Sequence, residues 1–312
     1  MTGATSHPEM LIFDLADIAH RPCSLVARAE ALLTTIRSEI AHDAAFLSLF
    51  EPERCLHSAL ARYGYSRQRE QHLDSPAFAD ELAARGLRGP APAATILGAD
   101  PSEIYVPLRA GGDYLGLFGM RTTAPERWQE HLTVVAPIIA RAVDPRQKLT
   151  AMASLVADPI AATVLTRAGS TEPLPGLPGL ASFGPAAPIV AEARALLAAG
   201  AGHASFLATG ASAEYGKVTV LATAGLPPGH RSGIVLVSHP GDLHGLTRPE
   251  LTVLGLHLAD WDDRRITEHL GLTGATAAGL LDSICRKLTA PHRDAATVQA
   301  AAHGLYLPAA PA

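Results

Sequence analysis

LTRPELTVLGLHLADWDDRRITEHLGLTGATAAGLLDSICRKL, residues 246 to 288, carries a start signal for each of three helices, and the rest of the chain is read outward from it. Thr247 is placed as an N-cap, and Glu250 three residues on can return a hydrogen bond to its amide. Leu251, Leu254 and Leu258 then recur at spacings of three and four, one buried stripe of a helix. Asp262 and Asp263 open a second helix at its positive dipole end, Ile266 and Leu270 form its apolar side, and Gly271 ends it. Thr273 caps a third, in which Ala277, Leu280, Leu281, Ile284 and Leu288 face inward while Arg286 and Lys287 occupy the last turn. Two short helices joined by a tight glycine turn read as a helix-turn-helix, whose second helix can enter the DNA major groove.

These residues resemble the DNA-binding domain of LuxR/FixJ-type transcriptional regulators. The signs are L-T-x-x-E at Leu246 to Glu250, V-L at Val253 and Leu254, I-x-E-x-L at Ile266 to Leu270, and L-T-x-A-T at Leu272 to Thr276. R-K-L at Arg286 to Leu288, a fourth helical segment at Ala295 to His303, and G-L at Gly304 and Leu305 complete the pattern. The resemblance implies an all-α four-helix domain that binds double-stranded promoter DNA. Arg264, Thr273 and Thr276 are then expected at phosphates, Ala277, Ala278 and Gly279 at base edges and thymine methyls, and Arg286 and Lys287 near the interface. The chain departs from the family after Thr276, where Ala277, Ala278, Gly279 and Leu280 stand and the usual lysine is missing. From Leu246 onward six basic residues face seven acidic ones, a net charge of −1. Because phosphate neutralisation supplies most non-specific affinity, such a domain is expected to bind weakly as a monomer and to work as a homodimer. A rival reading makes the uncharged Ala277 to Gly279 face a docking surface for a protein partner.

The whole chain has 312 residues, 48% hydrophobic and 18% charged, with a formal net charge of −5, so a DNA-binding surface has to be local. Cys23, Cys55 and Cys285 are an odd number without metal-ligand spacing, which fits reduced thiols in the cytoplasm. Residues near the start lack the basic-then-apolar order of a signal peptide, and no uncharged apolar run reaches the ~18 residues of a membrane span. The fourteen histidines contain no HExxH and no paired Cys/His cluster. No G-x-S-x-G, Walker A or dinucleotide fingerprint occurs in the strand-to-helix context that its chemistry needs. Neither an enzyme activity, a metal nor a cofactor is therefore expected, and no membrane partner.

Upstream, residues 1 to 20 form a loosely patterned extension. Ser24 caps a long helix with Leu25, Ala29, Leu32, Leu33 and Ile36 on one side, and a hairpin follows at Ala44 to Phe50 and Leu56 to Tyr63. A polar segment Gly64 to Asp74 precedes a helix at Ser75 to Arg85. The runs Ile104 to Leu108 and Tyr114 to Met120 flank a glycine turn, and Pro125 to Val143 closes with a helix. This order, with A-A-F-L-S-L-F at Ala44 to Phe50 and Y-L-G-L-F-G-M at Tyr114 to Met120, resembles the GAF fold, a sensory α/β domain. It implies a small-molecule pocket lined by Phe46, Tyr105, Leu117 and Phe118, with a filled core as the plainer outcome.

Farther along, Ala161 to Thr166, His203 to Thr209, Lys217 to Ala222 and Gly233 to Ser238 read as strands and Pro188 to Ala199 as a helix, resembling a PAS-like domain. His239 to His244 links it directly to Thr247. The expected architecture is α+β and multidomain: an extension over 1–20, a GAF-like domain over 21–146, a PAS-like domain over 147–240 and the helix-turn-helix domain over 241–312. The expected function is transcription regulation in response to a ligand or partner, RNA polymerase being one possible partner.

Overall fold

The computed structural model describes residues 8–88, 96–97, 100–179, 187–209, 215–223 and 225–309. It divides into two compact units, Met1–Gln147 with Gly225–His230, and Lys148–Ala224 with Arg231–Ala312. No described helix is long and apolar enough to cross a membrane.

In the first unit, helix α1 (Pro8–His20) replaces the loose extension expected there. Leu11, Leu15 and Ile18 recur at helical spacing and are all buried, which gives this segment a reason to order. Helix α2 (Leu25–Glu39) starts where Ser24 Oγ accepts the Ala27 amide at 3.1 Å. It buries the five expected apolar residues and also Arg28, whose guanidinium donates to the Ala142 carbonyl at 2.8 Å and the Arg21 carbonyl at 2.7 Å. Strands β1 (Ala44–Glu51) and β2 (Leu56–Tyr63) form the hairpin. The polar segment after it holds helix α3 (Arg67–Leu73), capped by Ser66, and then α4 (Pro76–Ala84), capped by Ser75. Strands β3 (Ile96–Leu97), β4 (Glu103–Ala110) and β5 (Asp113–Arg121) follow, and helix α5 (Pro125–Val143) closes the sequence. The sheet is antiparallel throughout, in the order β2-β1-β5-β4-β3.

Side chains alternate across this sheet and so divide between two cores. Leu47, Leu49, Ile104, Val106, Phe118 and Met120 pack with residues of α1, α2 and α5. Phe46, Tyr105 and Leu117 join Leu73, Phe78, Leu82 and Leu87 on the opposite side. Phe118 therefore cannot line a pocket with its neighbour Leu117, and its expected place there is corrected. The remaining three are packed against each other, with Phe78 and Tyr105 rings 5.7 Å apart and Phe46 and Phe78 rings 6.1 Å apart, all edge-on. Beside them Arg69 donates to Glu103 at 2.5 Å and to the Tyr105 hydroxyl at 2.7 Å, so the polar tip of Tyr105 is satisfied.

Helix α6 (Pro145–Ala153) begins at a fixed point, because Arg146 pairs with Asp144 and Asp113 and donates to the Ala110 carbonyl at 2.9 Å. The second unit holds strands β6 (Pro159–Thr166) and β7 (Thr171–Pro173), helix α7 (Pro188–Ala198), and strands β8 (His203–Thr209), β9 (Tyr215–Ala222) and β10 (Arg231–Ser238). The short β7 falls within Thr171 to Pro188, a Pro/Gly-rich run whose composition predicts a long irregular loop; Thr163 Oγ1 donates to its Glu172 carbonyl at 3.0 Å. Residues 180–186 of that run lie outside the described residues. The order β7-β6-β10-β9-β8, again antiparallel, repeats that of the first sheet: second, first, fifth, fourth, third along the chain.

Four helices complete the unit: α8 (Arg248–Leu258), α9 (Asp263–Leu270), α10 (Gly274–Lys287) and α11 (Arg293–His303). They share one apolar core with the sheet. Phe206, Val218, Val220 and Val235 from the strands cluster with Leu251, Leu254, Ile284, Leu288, Ala296 and Ala300 from the helices.

Candidate nucleic-acid interface

Each helix of this region is started or stopped by the residue its sequence offers. The Thr247 amide donates to Glu250 at 2.6 Å. Asp262 Oδ1 accepts the Arg265 amide at 2.7 Å, and Thr273 Oγ1 the Thr276 amide at 3.3 Å. Between α9 and α10 Gly271 has φ 62°, the left-handed conformation that lets the chain turn after one residue, and the Leu272 amide reaches back to the Thr267 carbonyl at 2.9 Å. The turn is therefore fixed by backbone geometry.

Glu250 does more than cap. It is almost fully buried, and it also accepts from Ser283 Oγ at 2.7 Å and from Lys287 Nζ at 3.0 and 2.8 Å, both on α10. Burial alone would raise the carboxyl, but hydrogen bonds from Lys287, the Thr247 amide, Ser283 and the Thr247 hydroxyl outweigh it and hold the pKa down to about 2. Lys287, expected at the interface, is thereby occupied in locking α10 to α8.

The other expected residues stand on the surface. Arg264 has 87% of its side chain exposed and pairs with Glu268 at 3.2 Å. Thr273 and Thr276 are exposed and bonded to each other through their hydroxyls at 2.7 Å. Ala278 and Gly279 are exposed, Ala277 is half-buried, and Arg286 is exposed in the last turn. At about 100° per residue, Ala278, Asp282 and Arg286 fall on one outward stripe of α10 with Gly279 beside them. Asp282 is exposed on that stripe and was missed from sequence; its four-residue spacing from Ala278 and Arg286 was the available signal. Arg264, Thr267 and Glu268 line a crevice of about 510 Å³ with Asp263, Gly274, Ala277, Ala278 and Leu281. Asp263 is paired with Arg293 at 2.6 Å, and Arg265 stacks 3.7 Å from the Trp261 ring. The geometry offers a shallow, weakly charged helix face with the exposed Arg264, paired to Glu268, at its edge and Arg286 exposed at the end of the α10 stripe.

No family model matches this chain, and no curated protein matches it. Solved structures do resemble parts of it. The GAF domain of a phosphoenolpyruvate-protein phosphotransferase from Coxiella burnetii is 12% identical, covering 48% of this chain and 99% of its own, with a TM-score of 0.35. Vibrio cholerae VqmA, described as a dimeric LuxR-type receptor, is 16% identical over 51% of this chain and 90% of its own, with a TM-score of 0.26. A complex of VqmA with ligand and DNA gives 16%, the same coverages and 0.23. At such scores the likeness is loose, and the reading of this chain rests on its own residues.

Proposed function

We propose that this chain is a non-enzymatic transcriptional regulator in which α9 and α10 form a helix-turn-helix on double-stranded promoter DNA, controlled by a ligand or partner, RNA polymerase included, sensed through a GAF-like first unit and a PAS-like second sheet. The observation that carries this reading is the pair of helices joined through left-handed Gly271 and capped by Asp262 and Thr273, with the Ala278 to Arg286 stripe turned outward. Arg264 and the Thr273 and Thr276 hydroxyls hold phosphates, and Ala277 to Gly279 meet base edges and thymine methyls. Affinity at a net charge of −1 calls for two copies. Exposed Met10 and Phe13 on α1 and Val134 on α5 give a second copy an apolar face, and Val298 on α11 a further contact. The protein works in the cytoplasm, where DNA is accessible.

Fluorescence anisotropy on labelled promoter duplexes across a salt series tests this reading, with analytical ultracentrifugation for the dimer. Binding whose logarithm falls linearly with the logarithm of salt is the expected result. One observation favours a second reading, that the helices dock a protein: the acidic Asp263 and Glu268 line the crevice beside the apolar Ala277, Ala278 and Leu281. Absence of binding at every salt concentration would select it.

A further inference from the structure

Residues 304–307 join two things that a modular regulator would keep apart. The Leu207 amide on the outer side of edge strand β8 donates to the Tyr306 carbonyl at 2.8 Å, and the next residue, Leu307, donates its own amide to the Leu251 carbonyl of α8 at 3.1 Å. Two consecutive residues thus bridge a sheet edge and a helix. Leu305 and Tyr306 are buried, and the Tyr306 ring lies 6.4 Å from that of Phe206 on β8.

Two glycines make the passage possible. Gly304 turns with φ 69°, and a Cβ there would meet Ser205 Cβ at 2.7 Å. Gly255 sits inside α8, where glycine costs about 1 kcal/mol relative to alanine. A Cβ at that point would come within 1.7 Å of the Leu307 carbonyl oxygen, so the helix tolerates a weak residue to let this segment lie against it. From Leu251 the path continues through its neighbour Glu250, which holds Ser283 and Lys287 of α10.

We propose that residues 304–307 act as a strap that carries a displacement of edge strand β8 into α8, and through Glu250 into α10. The strap gives the regulatory reading above a route, and it rests on that reading for its purpose. Its operation is a property of the folded chain and needs no DNA. A rigid two-residue bridge transmits motion because neither end can shift without breaking a backbone hydrogen bond, and Leu207, Tyr306 and Leu251 are buried.

Hydrogen exchange of the full chain, read peptide by peptide, tests the proposal. Phe206→Leu loosens β8 from within. In the otherwise native chain it is expected to speed exchange of the α8 amides by about twofold to thirtyfold, the range of energetic coupling between linked sites. Leu307→Pro deletes the strap's outer hydrogen bond, and a Gly-Gly insertion between Tyr306 and Leu307 slackens it while keeping every side chain. In either background Phe206→Leu should alter the strands as before, while the response of α8 falls to the smaller part that their shared apolar core carries. An equal response of α8 with the slack strap, or none with the intact one, would overturn the proposal. A chain that binds no DNA but shows the expected exchange pattern would sink the DNA reading and leave the strap standing.

Discussion

Replacing Glu250 by glutamine removes the charge on which α8 and α10 converge. A carboxyl held at about 2, against an ordinary 4.5, is a difference of between two and three pKa units. At about 1.4 kcal/mol per unit this corresponds to about 3 kcal/mol of stability, with little loss to solvent because the side chain is only 2% exposed. The folded pKa is depressed, so the contribution is complete above the unfolded value and disappears as pH falls from about 4.5 through about 2. Glutamine leaves an acceptor for Thr247, but it turns a neutral amide toward Lys287 and leaves that cation unpaired. Urea unfolding followed by Trp261 fluorescence, in a Trp128→Phe background, reads the second unit. The account expects Glu250→Gln to cost about 2 to 3 kcal/mol near pH 7 and the gap from the parent to close as pH drops below about 4. A gap under about 1 kcal/mol at neutral pH, or one constant down to about pH 3, would refute the argument that the buried charge is what holds these helices.

Other expectations are independent of that one. Arg264→Ala should weaken DNA binding by a similar factor on every sequence and reduce the salt slope by about one, measured by anisotropy. Asp282→Asn, which removes a negative charge from the outward stripe of α10, should instead tighten binding severalfold at low salt while leaving the melting temperature nearly unchanged. In the first unit, burial and then the nearby Arg88 charge lower His57 to about 3, so the unfolded chain takes up a proton that the fold refuses. That unit should lose stability as pH falls from about 6.5 toward 3, and His57→Asn should flatten this dependence in denaturant titrations followed through Trp128.

What was legible in the sequence is what is decided within a few residues. The caps at Ser24, Ser75, Asp262 and Thr273 bond amides three positions away, and Gly271 turns the chain by its own backbone, so each could be read from neighbours alone. The hairpins followed from strand-like runs on either side of a turn, but the register shifts at Leu47 to Ser48 and Leu108 to Arg109 had no local sign. Helix α3 was missed because it buries only Leu73, which leaves no apolar period to detect. Phe118 was misplaced since adjacent strand residues look alike until the two faces of the sheet are known. The Lys287 bond to Glu250 spans 37 positions, and Leu207 meets Tyr306 only after the sheet and helices have packed, so no local pattern announces either. Gly304, where a Cβ would meet Ser205 of β8, was the visible trace of the second contact.

The central claim, that α10 reads duplex DNA, is most directly tested by selecting from randomised duplexes with the purified full chain at low salt, beside Arg264→Ala. The account predicts enrichment of a two-fold symmetric site by the native chain, its half-sites about one helical turn apart, with retention that falls as salt rises and is poorer for the variant. Recovery of no enriched sequence at any salt, with native chain and variant indistinguishable, would contradict it.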